Sequence, residues 1–127
     1  VARERRRDWQ RVLQKWYDLP MGWRVEVLND VVRVELEAQP VDIRARFLRI
    51  VQLIETVGLA NVREPYVKHL EGPLWEMRMK GKDGIARAVY VTASNQRVVV
   101  VRVFPKKTQK TPRREIERAL ARAKEVT

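Results

Sequence analysis

Hydrophobic and polar residues alternate along several short stretches of this chain. From Trp75 to Lys80 a tryptophan and two methionines alternate with charged residues, which predicts a strand with one buried and one exposed face. Residues 23–28 show the same alternation. Arg97 to Phe104 is almost all valine, which is typical of a strand covered on both faces. A further strand over 85–92 follows the turn Gly81 to Gly84, whose two glycines can take positive φ, and this predicts a hairpin.

Other stretches have the spacing of helices. Apolar residues recur three and four positions apart from Val41 to Val57, which predicts a helix with one core-facing side, ended by Gly58. A shorter helix runs to Glu37, capped by Asn29 or Asp30. The last helix begins with Thr111 as its N-cap and Pro112 at its first position. Residues 58–69 are predicted to form a loop.

These elements give the order β-α-α-β-β-β-α. They predict an α+β domain over residues 22–127, in which a helical hairpin lies on one side of a mostly antiparallel sheet and a C-terminal helix follows. Residues 1–21 are predicted to form an extra N-terminal helix, because Trp9, Val12, Leu13 and Trp16 have helical spacing. Since Met21 immediately precedes the first strand, these residues are alternatively an upstream extension of a domain that starts there.

Charge narrows the classes of partner. The net charge is +11, and 16 of the 27 lysines and arginines lie in residues 63–127, against seven acidic residues there. A basic excess on one part of a fold is the electrostatic pattern expected of a protein that binds nucleic acid. Charge alone is also compatible with a role in solubility. On the last helix, Arg114, Arg118 and Arg122 repeat every four residues and predict a cationic stripe.

The supply of catalytic side chains is small. The chain contains no cysteine and a single histidine, His69, which excludes a zinc–cysteine site and any catalysis that needs a pair of histidines. No apolar run approaches the roughly 20 residues that span a bilayer, and no signal-peptide pattern opens the chain. We therefore expect a cytoplasmic protein.

Three segments resemble a known family. They are Leu70 to Arg78 (LEGPLWEMR), Arg87 to Tyr90 (RAVY) and Val103 to Pro112 (VFPKKTQKTP). Together they are similar to the phage-derived, HigB-like branch of the RelE/ParE toxin superfamily, over about residues 22–126. The third segment, a lysine-rich run between a valine strand and the last helix, is the most specific.

The resemblance implies a toxin of a type II toxin–antitoxin pair, an endoribonuclease that cuts mRNA on the translating ribosome. It implies chemistry without a metal or cofactor, in which the 2′-hydroxyl attacks the adjacent phosphate and leaves a 2′,3′-cyclic phosphate. Such a reaction needs stabilisation of the extra negative charge on phosphorus, together with a proton acceptor and a proton donor. Neighbouring cations can also lower the pKa of a lysine so that it acts as the base. The implied partners are mRNA, the ribosome and an antitoxin, expected to be a helix-turn-helix protein.

The resemblance also implies roles for individual residues. Arg78 and Arg87 match the sheet arginines and are expected to clamp phosphate, because a guanidinium binds phosphate through two parallel hydrogen bonds. Lys106 and Lys107 match the lysine pair, one at the cleaved phosphate and the other on RNA, and His69 is a candidate general base. The residues expected to contact RNA outside the reacting centre are Lys68, Lys80, Lys110, Arg114 and Arg118.

Each assignment has a structural alternative, namely a salt bridge for the arginines, an incidental loop position for His69 and an ion pair for Glu76. At the level of function, the alternatives are a ParE-like toxin that inhibits DNA gyrase without nuclease activity, and a non-catalytic module that binds RNA or the ribosome.

Overall fold

The computed structural model describes residues 22–127 of the chain. Its elements are β1 (Arg24–Val27), α1 (Asp30–Glu37), α2 (Val41–Val57), a short 3₁₀ turn (Leu59–Asn61), β2 (Val67–Glu71), β3 (Leu74–Lys80), β4 (Ile85–Ala93), β5 (Arg97–Pro105) and α3 (Arg113–Ala123). The predicted N-terminal helix lies outside the described residues. Within residues 22–127, no helix has the length and apolar character needed to cross a membrane.

The strands form one five-stranded sheet in the order β1-β5-β4-β3-β2. β1 pairs with β5 in parallel, and the other neighbours are antiparallel. The valine-rich β5 and its neighbour β4 therefore occupy the interior of the sheet, as the continuous apolar run of β5 predicts. The predicted α+β class and mostly antiparallel sheet are confirmed.

Each face of the sheet carries its own apolar cluster. On one face the hairpin of α1 and α2 packs on alternate residues of β3, β4 and β5, including Met77, Ala88 and Val100. On the other face α3 packs through Ile116 and Ala119 on the intervening residues of β4 and β5. We call these the hairpin face and the α3 face. α3 packs on β4 and β5, and on the same face of β3 Leu74 and Glu76 are buried, whereas Arg78 is half-buried and Lys80 is exposed.

The predicted helix ends are largely confirmed. The side chain of Asn29 accepts a hydrogen bond from the Val32 N–H at 3.1 Å and caps α1. Gly58 ends α2 with φ +88°, a conformation that glycine adopts without a steric penalty. The prediction for α3 was wrong in one respect, because Pro112 rather than Thr111 is the N-cap and the Thr111 hydroxyl bonds elsewhere.

One other local prediction was wrong. Residues 67–69 are not loop but the start of β2, which pairs with β3 from Val67 opposite Met77. The predicted hairpin of β3 and β4 is confirmed by their antiparallel pairing, although neither glycine of its turn takes positive φ. Gly81 is required there for close approach instead, since a Cβ at this position would lie 2.7 Å from the carboxylate of Asp42 at the start of α2.

Candidate active site

Charged residues of β3 and β4 collect on the α3 face of the sheet. Met77, Met79 and Ala88 are buried against the hairpin. Strand alternation therefore places Arg78 on β3 and Arg87 on β4 on the opposite face. The register pairs these two arginines directly across the strands. Two predicted site residues thus lie side by side beneath the loop that follows β5.

Arg87 is buried and fixes that loop to the sheet. It is only 3% exposed. One guanidinium nitrogen donates to the Thr111 hydroxyl, and the other donates to the Gln109 carbonyl at 2.6 Å. The Thr111 hydroxyl in turn donates to the Glu76 carboxylate at 2.9 Å. This chain of bonds sets the position of residues 106–112.

The remaining guanidinium nitrogen of Arg87 is nearly unpartnered. Its Nε lies 3.8 Å from the Glu76 carboxylate, and it has no hydrogen bond within the described part of the chain. Glu76 is itself only 4% exposed. Arg87 and Glu76 thus form a buried ion pair at the base of the site, which is the structural alternative considered for both residues.

Lys106 is held next to the two arginines. Its backbone N–H donates to the Ile85 carbonyl at 2.7 Å, and this bond extends the pairing of β4 with β5 by one residue. Partial desolvation, followed by the positive charges of Arg78 and Arg87, lowers the pKa of its side-chain amine, and the Glu76 carboxylate only partly opposes this. The structure thus brings Arg78, Arg87 and Lys106 together, which are three of the predicted site residues.

Arg78 differs from Arg87 in having no acidic partner. Among residues 22–127 no carboxylate lies within salt-bridge distance of its guanidinium, and its backbone N–H donates to the Tyr66 carbonyl at 2.8 Å. Its side chain is half-buried. It therefore presents an uncompensated guanidinium at the rim of the site, where a phosphate can be bound.

Two pockets flank the loop and share Arg87. The first, which we call the cationic pocket, has a volume of ≈ 340 Å³ and is lined by Lys68, His69, Leu70, Glu76, Arg78, Arg87, Gln109, Lys110, Thr111 and Ile116. The second, of ≈ 230 Å³, includes Lys106, Lys107 and Arg114. Eight of the ten predicted site residues thus line one or the other pocket.

Comparison with known proteins identifies the family. Residues 34–124 match the family model described as "Phage derived protein Gp49-like (DUF891)". The chain belongs to this Gp49-like family. This match confirms the phage-derived family that the resemblance indicated. Comparison with curated proteins gives no match.

A solved structure shares the fold of this Gp49-like chain. It is a chain of the archaeal RelE–RelB complex from Pyrococcus horikoshii OT3, with a TM-score of 0.53 and 23% sequence identity. The match covers 67% of this chain and 96% of that chain. The likeness confirms a RelE-like fold.

His69 occupies the edge of the Gp49-like site. Its Nε2 lies 2.9 Å from the Gly72 carbonyl, and its ring contacts Trp75 edge-on with 5.0 Å between ring centroids. Because a carbonyl only accepts hydrogen bonds, Nε2 is the donor in this contact and therefore carries the proton. Trp75 alternates with the buried Met77, so this contact lies toward the hairpin face. His69 therefore lies at the rim of the cationic pocket, with its ring packed against Trp75.

The predicted cationic stripe on α3 does not form. Arg114 is exposed beside the second pocket, whereas Arg118 lies 3.6 Å from Glu115. Arg122 turns inward and bonds to the Glu35 carboxylate at 2.9 Å and to the Val101 carbonyl at 2.9 Å. Only the first of the three arginines is thus without an acidic partner among the described residues.

The sequence reasoning missed the ionic network that Arg122 joins. Arg102 on β5 pairs with Glu35 of α1 at 2.8 Å and with Glu115 of α3 at 2.9 Å. The Glu35 carboxylate also accepts from the Val103 N–H at 3.1 Å. A signal was present, because Arg102 is a charge inside a valine strand, and a buried charge requires a partner.

Proposed function

We propose that this Gp49-like chain is the toxin of a type II toxin–antitoxin pair and cleaves mRNA on the translating ribosome. The observation that carries the proposal is the direct pairing of Arg78 with Arg87 across β3 and β4, with Lys106 bonded to β4 at Ile85. Desolvation and these two arginines lower the pKa of the Lys106 amine. A lysine with a lowered pKa beside an unpaired guanidinium supplies both a base and a phosphate-binding group. Such a pair can act on an RNA phosphate without a metal.

In the proposed reaction, the neutral amine of Lys106 takes the proton of the ribose 2′-hydroxyl. The 2′-oxygen then attacks the adjacent phosphorus, the bond from phosphorus to the 5′-oxygen breaks, and a 2′,3′-cyclic phosphate remains. Lys110, which lines the same pocket as Arg78, gives a proton to the leaving 5′-oxygen. The products are the cyclic phosphate and a free 5′-hydroxyl.

Arg78 and Arg87 have different roles in this proposal. Arg78 binds the phosphate oxygens and stabilises the added negative charge in the transition state. Arg87 is a positioning residue, because its outer nitrogens are occupied by Thr111 and Gln109. Since these bonds set the loop that carries the lysines, Arg87 acts on the reaction through Lys106 rather than by contact with phosphate.

The other predicted cations surround this centre and are proposed to bind the RNA backbone. They are Lys68, Lys80, Lys107, Arg114 and, at the margin, Arg118. His69 is assigned no proton transfer, because its ring contacts Trp75 and Gly72.

We also propose an antitoxin as partner. The RelE-like neighbour was solved as a RelE–RelB complex, and the basic surface of this chain offers a complementary site for an acidic or helix-turn-helix antitoxin. The proposed site of action is the cytoplasm.

The experiment that tests the proposal is induction of the chain in bacterial culture with mapping of new mRNA 5′ ends. Arg78→Ala and Lys106→Ala are compared with Arg24→Ala, an exposed arginine on β1 at the opposite edge of the sheet. We expect growth arrest and new 5′-hydroxyl ends inside reading frames for the wild type and Arg24→Ala only. Arrest with intact mRNA and damaged DNA would instead support the gyrase-inhibiting alternative.

A further inference from the structure

A third pocket lies next to the site, at the point where β3 extends past the start of β2. It has a volume of ≈ 320 Å³ and is lined by Arg46, Pro65, Tyr66, Arg78, Lys80 and Ile85. Arg46 comes from α2, and Tyr66 immediately precedes β2. The bond from the Arg78 N–H to the Tyr66 carbonyl joins this segment to β3. We call this the Tyr66 pocket.

The Tyr66 pocket is strongly positive. Three of its six lining residues are cationic, and none is acidic. Within residues 22–127 no carboxylate lies at salt-bridge distance from Arg46 or Lys80, and both side chains are exposed. Uncompensated cations around a pocket attract an anion, and in this site the candidate anion is a phosphate of the RNA backbone.

An aromatic ring stands among these cations. Tyr66 is 38% exposed, although large apolar and aromatic side chains are more often covered. Proteins bind single-stranded nucleic acid by combining cations, which contact the phosphate backbone, with exposed aromatic rings, which stack on the bases. The ring therefore gives the pocket a place for a base as well as for a phosphate.

Arg78 connects the Tyr66 pocket with the proposed cleavage centre, since it lines both this pocket and the cationic pocket. The two pockets therefore adjoin, and a strand whose cleaved phosphate lies at Arg78 can place a neighbouring nucleotide in the Tyr66 pocket. We propose that the Tyr66 pocket binds this adjacent nucleotide of single-stranded RNA, with the base stacked on Tyr66 and the backbone held by Arg46 and Lys80. The inference rests on the proposed function for the identity of the strand.

The test measures the affinity of the full chain for a short, fluorescently labelled single-stranded RNA. The RNA carries 2′-O-methyl groups, so that cleavage does not affect the binding measurement. Tyr66→Ala is expected to raise the Kd about five- to hundredfold, as loss of one stacked base does, whereas Tyr66→Phe retains affinity. Tyr66→Ala leaves the dependence of log K on log salt unchanged, because no charge is removed.

Arg46→Ala is expected to behave differently from Tyr66→Ala. It makes the negative slope of log K against log salt shallower by about 0.7, the amount for one phosphate contact on a single strand. Arg24→Ala removes the same charge at the far edge of the sheet and leaves the slope unchanged. Circular dichroism and thermal unfolding of each variant establish that the fold is retained.

The outcomes separate this inference from the proposed function. Loss of affinity in Tyr66→Ala and Arg46→Ala supports the nucleotide site even if the wild type proves unable to cleave RNA. If Tyr66→Ala and Arg46→Ala bind the RNA as tightly as Arg24→Ala does, the nucleotide site is overturned even if the wild type cleaves RNA. A wild type that fails to bind the RNA at low salt also overturns it.

Discussion

Arg78 and Arg87 lie directly opposite each other on β3 and β4, yet only one of them is neutralised. Arg87 is buried with Glu76, Thr111 and Gln109, whereas Arg78 has no acidic partner among the described residues. Like charges at directly paired positions are destabilising. The paired arginines therefore lower stability locally, and the guanidinium of Arg78 is available to bind an anion. Arg87 is accordingly the positioning residue and Arg78 the binding residue.

The first prediction concerns Arg78. Arg78→Ala should lower the cleavage rate by about 10²–10³-fold, the usual effect of removing one group that stabilises transition-state charge. Its free energy of unfolding should change by no more than about 0.5 kcal/mol, because no ion pair is lost. Single-turnover cleavage and denaturant unfolding measure the two quantities. Unchanged cleavage would contradict the role assigned to Arg78.

The second prediction concerns Arg87. Arg87→Ala leaves the buried carboxylate of Glu76 without its cation and frees residues 109–111, so it should destabilise the fold by about 3–5 kcal/mol. Cleavage is lost as well, because the loop carrying Lys106 is no longer held. Urea unfolding of Arg87→Ala beside Arg78→Ala is the matched comparison. Equal stabilities of the two variants would show that Arg87 does not hold the loop.

The third prediction concerns Lys106 and pH. Only the neutral amine accepts a proton, so the cleavage rate should rise with pH until it passes the lowered pKa of Lys106. Arg78→Lys, which keeps the positive charge, should preserve this profile. Arg78→Ala removes a charge that lowers this pKa, and its residual rate should therefore reach a plateau at higher pH than that of the wild type.

The variant Lys106→Arg gives a further check on the base. It keeps the positive charge but cannot lose a proton at accessible pH, so it should bind RNA normally and fail to cleave it. Lys124→Arg at the far end of α3 is the control. Full activity of Lys106→Arg would exclude Lys106 as the base.

The fourth prediction concerns Glu35 and acid stability. Burial alone would raise the pKa of this carboxyl, but hydrogen bonds from Arg122 and Val103 and the charges of Arg102 and Arg122 lower it overall. A lowered folded-state pKa contributes stability above the ordinary glutamate pKa, and that contribution disappears as pH falls through the lowered value. Glu35→Gln should therefore flatten the acid limb of the stability curve. Thermal unfolding from neutral to acidic pH measures this, and identical limbs would contradict it.

The sequence predicts the fold because its elements are locally encoded. The alternation in β3, the valines of β5 and the spacing within α2 each depend on neighbouring residues alone. The start of β2 was missed because Val67 pairs with Met77 across the sheet, and nothing local marks that pairing. Whether a short segment becomes a strand depends on the partner that it meets.

The site was only partly predictable for a related reason. The sequence identifies Arg78, Arg87 and Lys106 as candidates, but it does not show which arginine is buried. That difference depends on Thr111, whose hydroxyl bonds to both Arg87 and Glu76 although Thr111 lies 35 positions after Glu76 in the sequence. Likewise, the spacing of Arg122 predicts an exposed stripe, but its side chain turns inward to bond with Glu35, which belongs to a helix far away in the sequence.

The measurement that tests the central claim most directly is analysis of the RNA ends formed when the purified chain acts on mRNA in programmed ribosomes. The account predicts a 2′,3′-cyclic phosphate and a 5′-hydroxyl, and no cleavage when the nucleotide at the cut carries a 2′-deoxyribose. It also predicts that Lys106→Arg forms neither end. Cleavage of the 2′-deoxy substrate, or a product with a 5′-phosphate, would contradict the proposed attack by the 2′-hydroxyl.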